Sequence, residues 1–392
     1  MNNFFTQPNY ALVTAILPRQ STHNVVENLL DGNDRNLLLI SARGTLVRPH
    51  WYQTFLPVMN PEQDIVQMLV PESETDYVLQ KIATLGRLKL AGAGAIYSIT
   101  CNEVTYSDSY PMWPTSEEKT HLHEKALISF RENLKGIFCI TEGTMTEAIS
   151  KAAIQTGAHG PSISLCEGRG LRDRHLLLRI AKSAEKELIQ LVVDDCDAEP
   201  VFNAMANGGR IDEPGRGFIF RAPIEKGLIN VASVYGHARH SASAQQIINA
   251  IDDLKGGTDW RTQEVLDVTS DSTMFGGIGF GGKLKNRHYL TDQTMLTCIC
   301  TRNQCDPLID AALNGGVNGL SISYGRFIEA EARTTRTGAR IHRERAIIQT
   351  VLPPRMIEGV REAMKEAAID HGVPEVCFYT FPVAKGLTYT GK

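Results

Sequence analysis

Two stretches of this chain match each other without a gap. Gln190 lies in the apolar run ELIQLVV and Gln349 in AIIQTVL. The offset between them also places Ile140 on Ile299, Gly157 on Gly316, and Ser162-Ile163-Ser164 on Ser321-Ile322-Ser323. Ala204-Met205 falls on Ala363-Met364, and Pro223, Lys226, Gly227 and Leu228 fall on Pro382, Lys385, Gly386 and Leu387. About 20 identities over roughly 90 residues mark an internal repeat, which constrains the whole fold. A third copy lies upstream: Gln67 in DIVQMLVP meets Gln190, Gly86-Arg87 meets Gly209-Arg210, Gly92 and Gly94 meet Gly215 and Gly217, and Ile96-Tyr97 meets Ile219-Phe220. Earlier in that copy a small change of offset brings Arg43-Gly44 onto Arg169-Gly170, so the intervening loops differ in length, as surface loops can.

Each copy has the same local pattern. An apolar strand (ALVTAIL, GIFCITE or TMLTCIC) leads into an amphipathic helix, for example Met145 to Gln155, with apolar residues at Met145, Ala148, Ile149, Ala152 and Ala153. Gly157 is placed to end that helix. A second strand (LLLISA, SISLCE or LSISYG) precedes a polar, Arg-rich loop, and the third strand carries the shared glutamine. A second helix begins at Glu72-Ser73-Glu74, Asp197 or Glu358, and a last strand (AIYSITC, FIFRAP or VCFYTFP) ends the unit. Strand–helix–strand–strand–helix–strand is the split βαβ, ferredoxin-like arrangement. Its two helices cover one face of the sheet. The other face also carries apolar side chains and needs a partner. The predicted fold is therefore α+β: three ferredoxin-like βαββαβ domains that bury their free faces against one another as an intramolecular pseudo-trimer. The repeats are assigned to residues 8–105, 134–232 and 292–392. Between them lie a helical linker at 106–133, containing SYPMWP, and an insertion at 233–291, with a helix at SASAQQIINAIDDLK and the glycine-rich tract FGGIGFGGK.

A net charge of −4 gives no electrostatic case for nucleic acid or an anionic membrane surface. No apolar run approaches the ~20 residues of a membrane span, and the first residues lack a basic leader with an apolar core, so no secretory signal is expected. The eight cysteines are scattered without a CxxC pair, which points to reduced thiols and a cytoplasmic setting.

The repeat unit resembles the PII nitrogen-regulatory family and its PII-like relatives. Two glycine motifs of the second copy carry the resemblance. Gly168-Arg169-Gly170 matches the G-x-G at the base of the family's large loop, and Gly215-Arg216-Gly217, ahead of FIFRAP, resembles its phosphate-holding G-D-G-K loop. The resemblance implies subunits that assemble in threes, an adenine nucleotide (ATP or ADP) in a cleft between them, and a large loop that reports the bound state to a protein target. Glycines let backbone N–H groups approach an anion, and arginine supplies a planar charged fork. The ligand set this implies is Gly168, Arg169, Gly170, Arg172, Arg210, Gly215, Arg216 and Gly217, with Arg43, Gly44, Gly92 and Gly94 in the first copy. The regulatory loops, Gly168 to Lys186 and Phe327 to Arg345, would use Arg174, Arg179, Arg333, Arg336, Arg340 and Arg343. Departures from the family make three unequal clefts. Arg172 stands near the place of its magnesium- and 2-oxoglutarate-holding glutamine. Its basic residues after the last strand fall near Ile229 and Val231 in the second copy, and near Thr388 and Tyr389 in the third. Ala93 separates the glycines of the first copy, and Pro374-Glu375-Val376 replaces the motif in the third.

Other signals are weaker. GIGFGGK at Gly277–Lys283 has P-loop spacing, but Leu284 replaces the required Ser or Thr. His121 with His123, and His237 with His240, lack further ligands, so no metal is expected. Cys298 and Cys300 share one strand face and read as core. No GxSxG, HExxH or Cys–His signature is found in the sequence. The expected function is sensing of a small anionic effector and regulation of a protein partner, without nucleic acid or membrane insertion, by a monomeric pseudo-trimer. A ligand-independent adaptor, or an enzyme using 233–291, are the other readings.

Overall fold

The computed structural model describes residues 3–29, 36–45, 62–90, 92–113, 128–170, 185–230, 250–254, 287–329 and 343–390. The first repeat runs β2 (Tyr10–Pro18), α1 (Arg19–Leu29), β3 (Asn36–Gly44), β4 (Glu62–Pro71), α2 (Glu72–Leu85) and β5 (Gly94–Thr100), preceded by β1 (Phe4–Gln7) and followed by β6 (Glu103–Ser107). The second runs β7 (Leu134–Thr141), α3 (Gly143–Gln155), β8 (Ser162–Gly170), β9 (Glu185–Asp194), α4 (Asp195–Gly208), β10 (Gly217–Ile224) and β11 (Lys226–Asn230). The third runs β12 (Gln293–Thr301), α5 (Asp306–Asn314), β13 (Gly319–Glu329), β14 (Arg343–Leu352), α6 (Pro354–Asp370), β15 (Cys377–Val383) and β16 (Lys385–Thr388).

Within each repeat the first strand lies between the third and fourth, and the second flanks the third. The orders are β5-β2-β4-β3, β10-β7-β9-β8 and β15-β12-β14-β13, all antiparallel. That is the ferredoxin-like order the element sequence predicted. The helices form because one stripe of each is apolar: α6 buries Ile357, Val360, Met364 and Ala368, positions that recur at helical spacing. The strands read as unbroken apolar runs because both faces are buried. On β12, Leu296, Cys298 and Cys300 face the helices, while Met295 and Ile299 face the centre of the molecule.

The repeats join in two closed cycles. The second strands pair with one another: the end of β3 with the start of β8 (Arg43↔Ile163), the end of β8 with the start of β13 (Arg169↔Leu320), and the end of β13 with the start of β3 (Phe327↔Leu38). A fifth strand in every repeat leaves its own sheet and extends that of the preceding repeat, the first repeat's joining the third. β11 pairs with β5, β16 with β10, and β6 with β15. The sixteen described strands thus make one curled antiparallel sheet. Its inner surface encloses a core drawn from all three repeats, including Leu12, Ile65, Tyr97, Phe138, Phe220, Ile347 and Phe381. Three further clusters, one per repeat, fill the spaces between sheet and helices.

Matching ion pairs sit at the three strand exchanges. Lys226 Nζ is 2.8 Å from Asp76, and Lys385 Nζ is 2.5 Å from Glu199. At the third, Glu103 stands where the lysine belongs, and Arg361 bridges Glu103 to Glu358.

Several expectations need correction. The unit does not end at its fourth strand. The fifth is short and isolated by one or two residues, so it carries little periodic signal, and β6 continues to Ser107, inside the stretch read as linker. β1, unforeseen, covers the outer edge of β6. The large loops are shorter than assigned: Gly168–Gly170, Glu185–Lys186, Phe327–Glu329 and Arg343–Arg345 are strand, because inter-repeat pairing extends β8 and β13 beyond their own sheets. Residues 250–254 are helical. The rest of the helix read at 241–255, the FGGIGFGGK tract and both histidine pairs lie outside the described residues. No described helix is long and apolar enough to cross a membrane.

Candidate functional site

The loop ahead of each fourth strand is met by the fifth strand of another repeat. In the first repeat the Gly92 N–H donates to the Asn230 carbonyl at 2.7 Å, and the Asn230 amide donates to the Leu88 carbonyl. In the second, Thr388 Oγ1 donates to the Gly217 carbonyl at 2.8 Å. In the third, Ser107 Oγ donates to the Pro374 carbonyl at 2.7 Å, and the Ser107 N–H donates to the Val376 carbonyl at 2.9 Å. Three equivalent junctions result, each with a loop from one repeat and a strand end from the next.

The second repeat's junction is the one whose loop centre is cationic. Gly215 (φ 75°) and Gly217 (φ 138°) hold conformations that L side chains rarely adopt. A β-carbon on Gly217 would lie 2.0 Å from the Ile140 carbonyl oxygen, as one on Gly94 would from that of Ile16. These two glycines are therefore required by the close approach of the adjoining strand, with or without a ligand. Between Gly215 and Gly217, the Arg216 carbonyl accepts from Thr141 Oγ1 at 2.9 Å, which fixes the loop on the end of β7. The half-buried Arg216 guanidinium lies 3.8 Å from Met145 Sδ and 3.6 Å from Glu213. Arg210, two residues beyond α4, is in the left-handed region (φ 51°), and its Nε donates to Glu213 Oε1 at 2.7 Å. Among the described residues, two guanidiniums thus share one carboxylate.

Beside it, a carboxylate of the chain already occupies a helix start. Glu187 Oε1 accepts from Arg43 of the first repeat at 2.8 Å, and the Glu187 carboxyl lies 3.6 Å from where a β-carbon on Gly143, the first residue of α3, would sit. The N-terminal end of a helix favours such an anion. Lys186 pairs with Glu142 at 3.1 Å in the same region. Arg43, read from sequence as a ligand contact, is thus committed to an inter-repeat ion pair; neither Glu187 here nor Glu213 beside Arg210 and Arg216 was foreseen.

The other two junctions differ in kind. Ala93 gives the first no charge. In the third, Glu375 takes the place of Arg216 and is gripped by Arg343 and Arg345. Arg345 is 1% exposed, lies over the Phe327 ring at 4.3 Å and donates to Thr301 Oγ1 at 2.9 Å. Arg343, assigned to a regulatory loop, is the first residue of β14. Residue-by-residue alignment with the second repeat would have exposed this reversal of charge.

The two glycine motifs of the second repeat are not adjacent. Gly217 is level with Thr141, Thr141 with Glu187 and Glu187 with Leu165, so Gly168-Arg169-Gly170 continues beyond that level three strands away, about 14 Å at ordinary strand spacing. There these residues pair with β13, and Arg169 lies 3.7 Å from Glu167. Gly44 likewise pairs, with Ser162. Arg172, Arg174, Arg179, Arg333, Arg336 and Arg340 lie outside the described residues. Among the described residues, no group of three or more His, Cys, Asp or Glu is placed to hold a metal ion. All eight cysteines are free thiols. Cys298 and Cys300 are both buried in the third repeat's core, and burial pushes the Cys298 thiol well above its usual range.

Neither a family model nor a curated protein sequence matches the chain. Among solved structures, an Arabidopsis thaliana PII protein bound to citrate is similar at 21% identity, over 24% of this chain and 79% of that one, with a TM-score of 0.19. A protein described as anthrone oxidase-like is similar at 11% identity, over 67% of this chain and 98% of that one, with a TM-score of 0.19.

Proposed function

We propose that the chain is a PII-like regulatory protein, an intramolecular pseudo-trimer whose second-repeat junction senses a small anionic effector. The effector class is an adenine nucleotide, with its phosphates at Arg216 and the Gly215–Gly217 loop. The segments joining β8 to β9 and β13 to β14 would pass the bound state to a protein target. The observation that carries this reading is the cyclic exchange of fifth strands. It closes each pre-strand loop with another repeat, and it leaves one loop of the three with a central arginine. A ligand bridging loop and strand end would bias the contact between second and third repeats, the differential interaction that any ligand-driven shift requires. The test is titration calorimetry with ATP, ADP and AMP. One site per chain is expected, weakened at least tenfold by Arg216→Ala. Absence of heat and of any thermal shift with all three would remove the nucleotide.

One observation favours a second reading, a ligand-independent adaptor. The cations of the junction already have protein partners: Arg210 and Arg216 in Glu213, and Arg43 in Glu187. A pull-down of partners that is indifferent to nucleotide and to Arg216→Ala would select it.

A further inference from the structure

The glutamine that marks the repeats has no part in the junctions. Gln67, Gln190 and Gln349 instead converge on a cavity of about 40 Å³ at the centre, where the inner faces of all three repeats meet. Ser164 and Ser323, at equivalent positions of the second and third repeats, line it as well. Strand register explains how polar atoms come to lie in so apolar a core. Across the sheet each glutamine sits in a row with two residues of the first and fourth strands. The rows are Gln67–Thr14–Tyr97, Gln349–Thr297–Tyr379 and Gln190–Phe138–Phe220. Two rows place a hydroxyl beside the amide; Gln67 Nε2 lies 3.5 Å from Thr14 Oγ1. The second repeat has Phe138 there, stacked on Phe220 at 5.0 Å. Gln190 Nε2 is consequently left without a protein partner although the residue is 4% exposed, and Ser323 Oγ, in a residue 3% exposed, is likewise unpartnered.

Two buried donors facing one chamber require a guest that accepts hydrogen bonds, since a buried donor left unpaired loses its solvation without return. Among the described residues no charged side chain lines the chamber, so an anion there would bear the full desolvation cost. The guest must therefore be small, neutral and able both to accept and to donate. We propose that the chamber is a built hydration site: it binds about two or three water molecules, the number its volume admits. Gln190 Nε2 and Ser323 Oγ donate to them, and they form part of the contact between repeats. The glutamine recurs in all three copies because each presents its amide to this shared solvent. The site is independent of the nucleotide reading.

A high-resolution crystal structure of the full chain tests it, together with a bromide soak and xenon pressurisation. Ordered solvent is expected within hydrogen-bond reach of both Gln190 Nε2 and Ser323 Oγ, with no bromide or xenon. Xenon in the chamber would mean a dry cavity and bromide a halide site; either result, or no density at all, overturns the proposal. In the Gln190→Leu variant, close in volume but without the Nε2 donor, the ordered solvent molecule beside that position is expected to be lost. Solvent unchanged in that variant would remove Gln190 from the site.

Discussion

At Gly217 the missing side chain leaves room for the Ile140 carbonyl, and the same is true of Gly94 and Ile16. Gly217→Ala or Gly94→Ala should each cost more than about 2 kcal/mol of stability, through both the contact and the positive φ, read as a lower thermal midpoint in the absence of any ligand. A loss of binding in either variant would then say nothing about phosphate, and Arg216→Ala is the informative change. His159 is a second residue with a definite outcome. Its Nε2 lies 2.5 Å from the Val192 carbonyl oxygen and its Nδ1 3.3 Å from that of Gly160. Burial lowers its pKa from 6.5 and outweighs the two carbonyls, which favour the protonated ring. The folded state thus keeps the ring neutral while the unfolded chain takes up a proton below about 6.5. Stability from this group is complete above that pH and lost progressively as pH falls toward the lower folded value. Denaturant midpoints between pH 5 and 6.5 should show that slope, and His159→Gln should flatten it. Glu199 adds its own loss only at lower pH. Burial alone would raise its carboxyl, but Lys385, Asn203 and Arg221 together hold it below its usual value.

The fifth strands are the elements on which the assembly turns, and the ion pairs at their starts differ in worth. Asp76 is exposed and Lys226 half-buried, and the aspartate holds the lysine above its usual range. Lys226→Ala should cost no more than about 1 kcal/mol. Arg361 is 6% exposed and lies between Glu103 and Glu358. Arg361→Ala removes a buried side chain that pairs with the half-buried Glu103 and the exposed Glu358, and should cost about 1.5–3 kcal/mol. Parallel urea titrations of the two variants check the contrast, and equal midpoints would mean that the third junction is no more buried than the first. The same charge reversal distinguishes the exchanges. β6 begins with Glu103 where β11 and β16 begin with lysine, so it matches α6 with its arginine and not α2 or α4, whose partners are acidic. The charge at the strand start thus helps to set which repeat follows which.

For the molecule as a whole, the inner core makes the repeats interdependent. An isolated second repeat would expose Phe138, Val192, Phe220 and Ile224, all buried in the shared centre, at about 1.5–3 kcal/mol for each side chain. Expressed alone, residues 134–230 should self-associate or precipitate, whereas the full chain should unfold in one cooperative transition. Light scattering and calorimetry check these outcomes. Three separable transitions in the full chain would show that the central cluster contributes little.

The repetition of the Gln-bearing run, the order of strands and helices in each unit, and the need for a second apolar layer were all legible in the chain. Each is written in local periodicity: alternating or continuous apolar runs, helical spacing at Met145 to Gln155, and glycines at helix ends. The Gly-x-Gly motifs were equally visible. Sequence could not tell that Gly217 answers to the Ile140 carbonyl, because that constraint comes from a strand many residues away. Nor did Arg43 announce Glu187, or Glu375 its two arginines, since such pairs form only when strand ends from different repeats are brought together. The exchange of fifth strands, the direction of the cycle and the meeting of three glutamines at one centre were decided by tertiary structure. Closure satisfies sheet edges and inner faces at once, and neither requirement can be met within a single repeat.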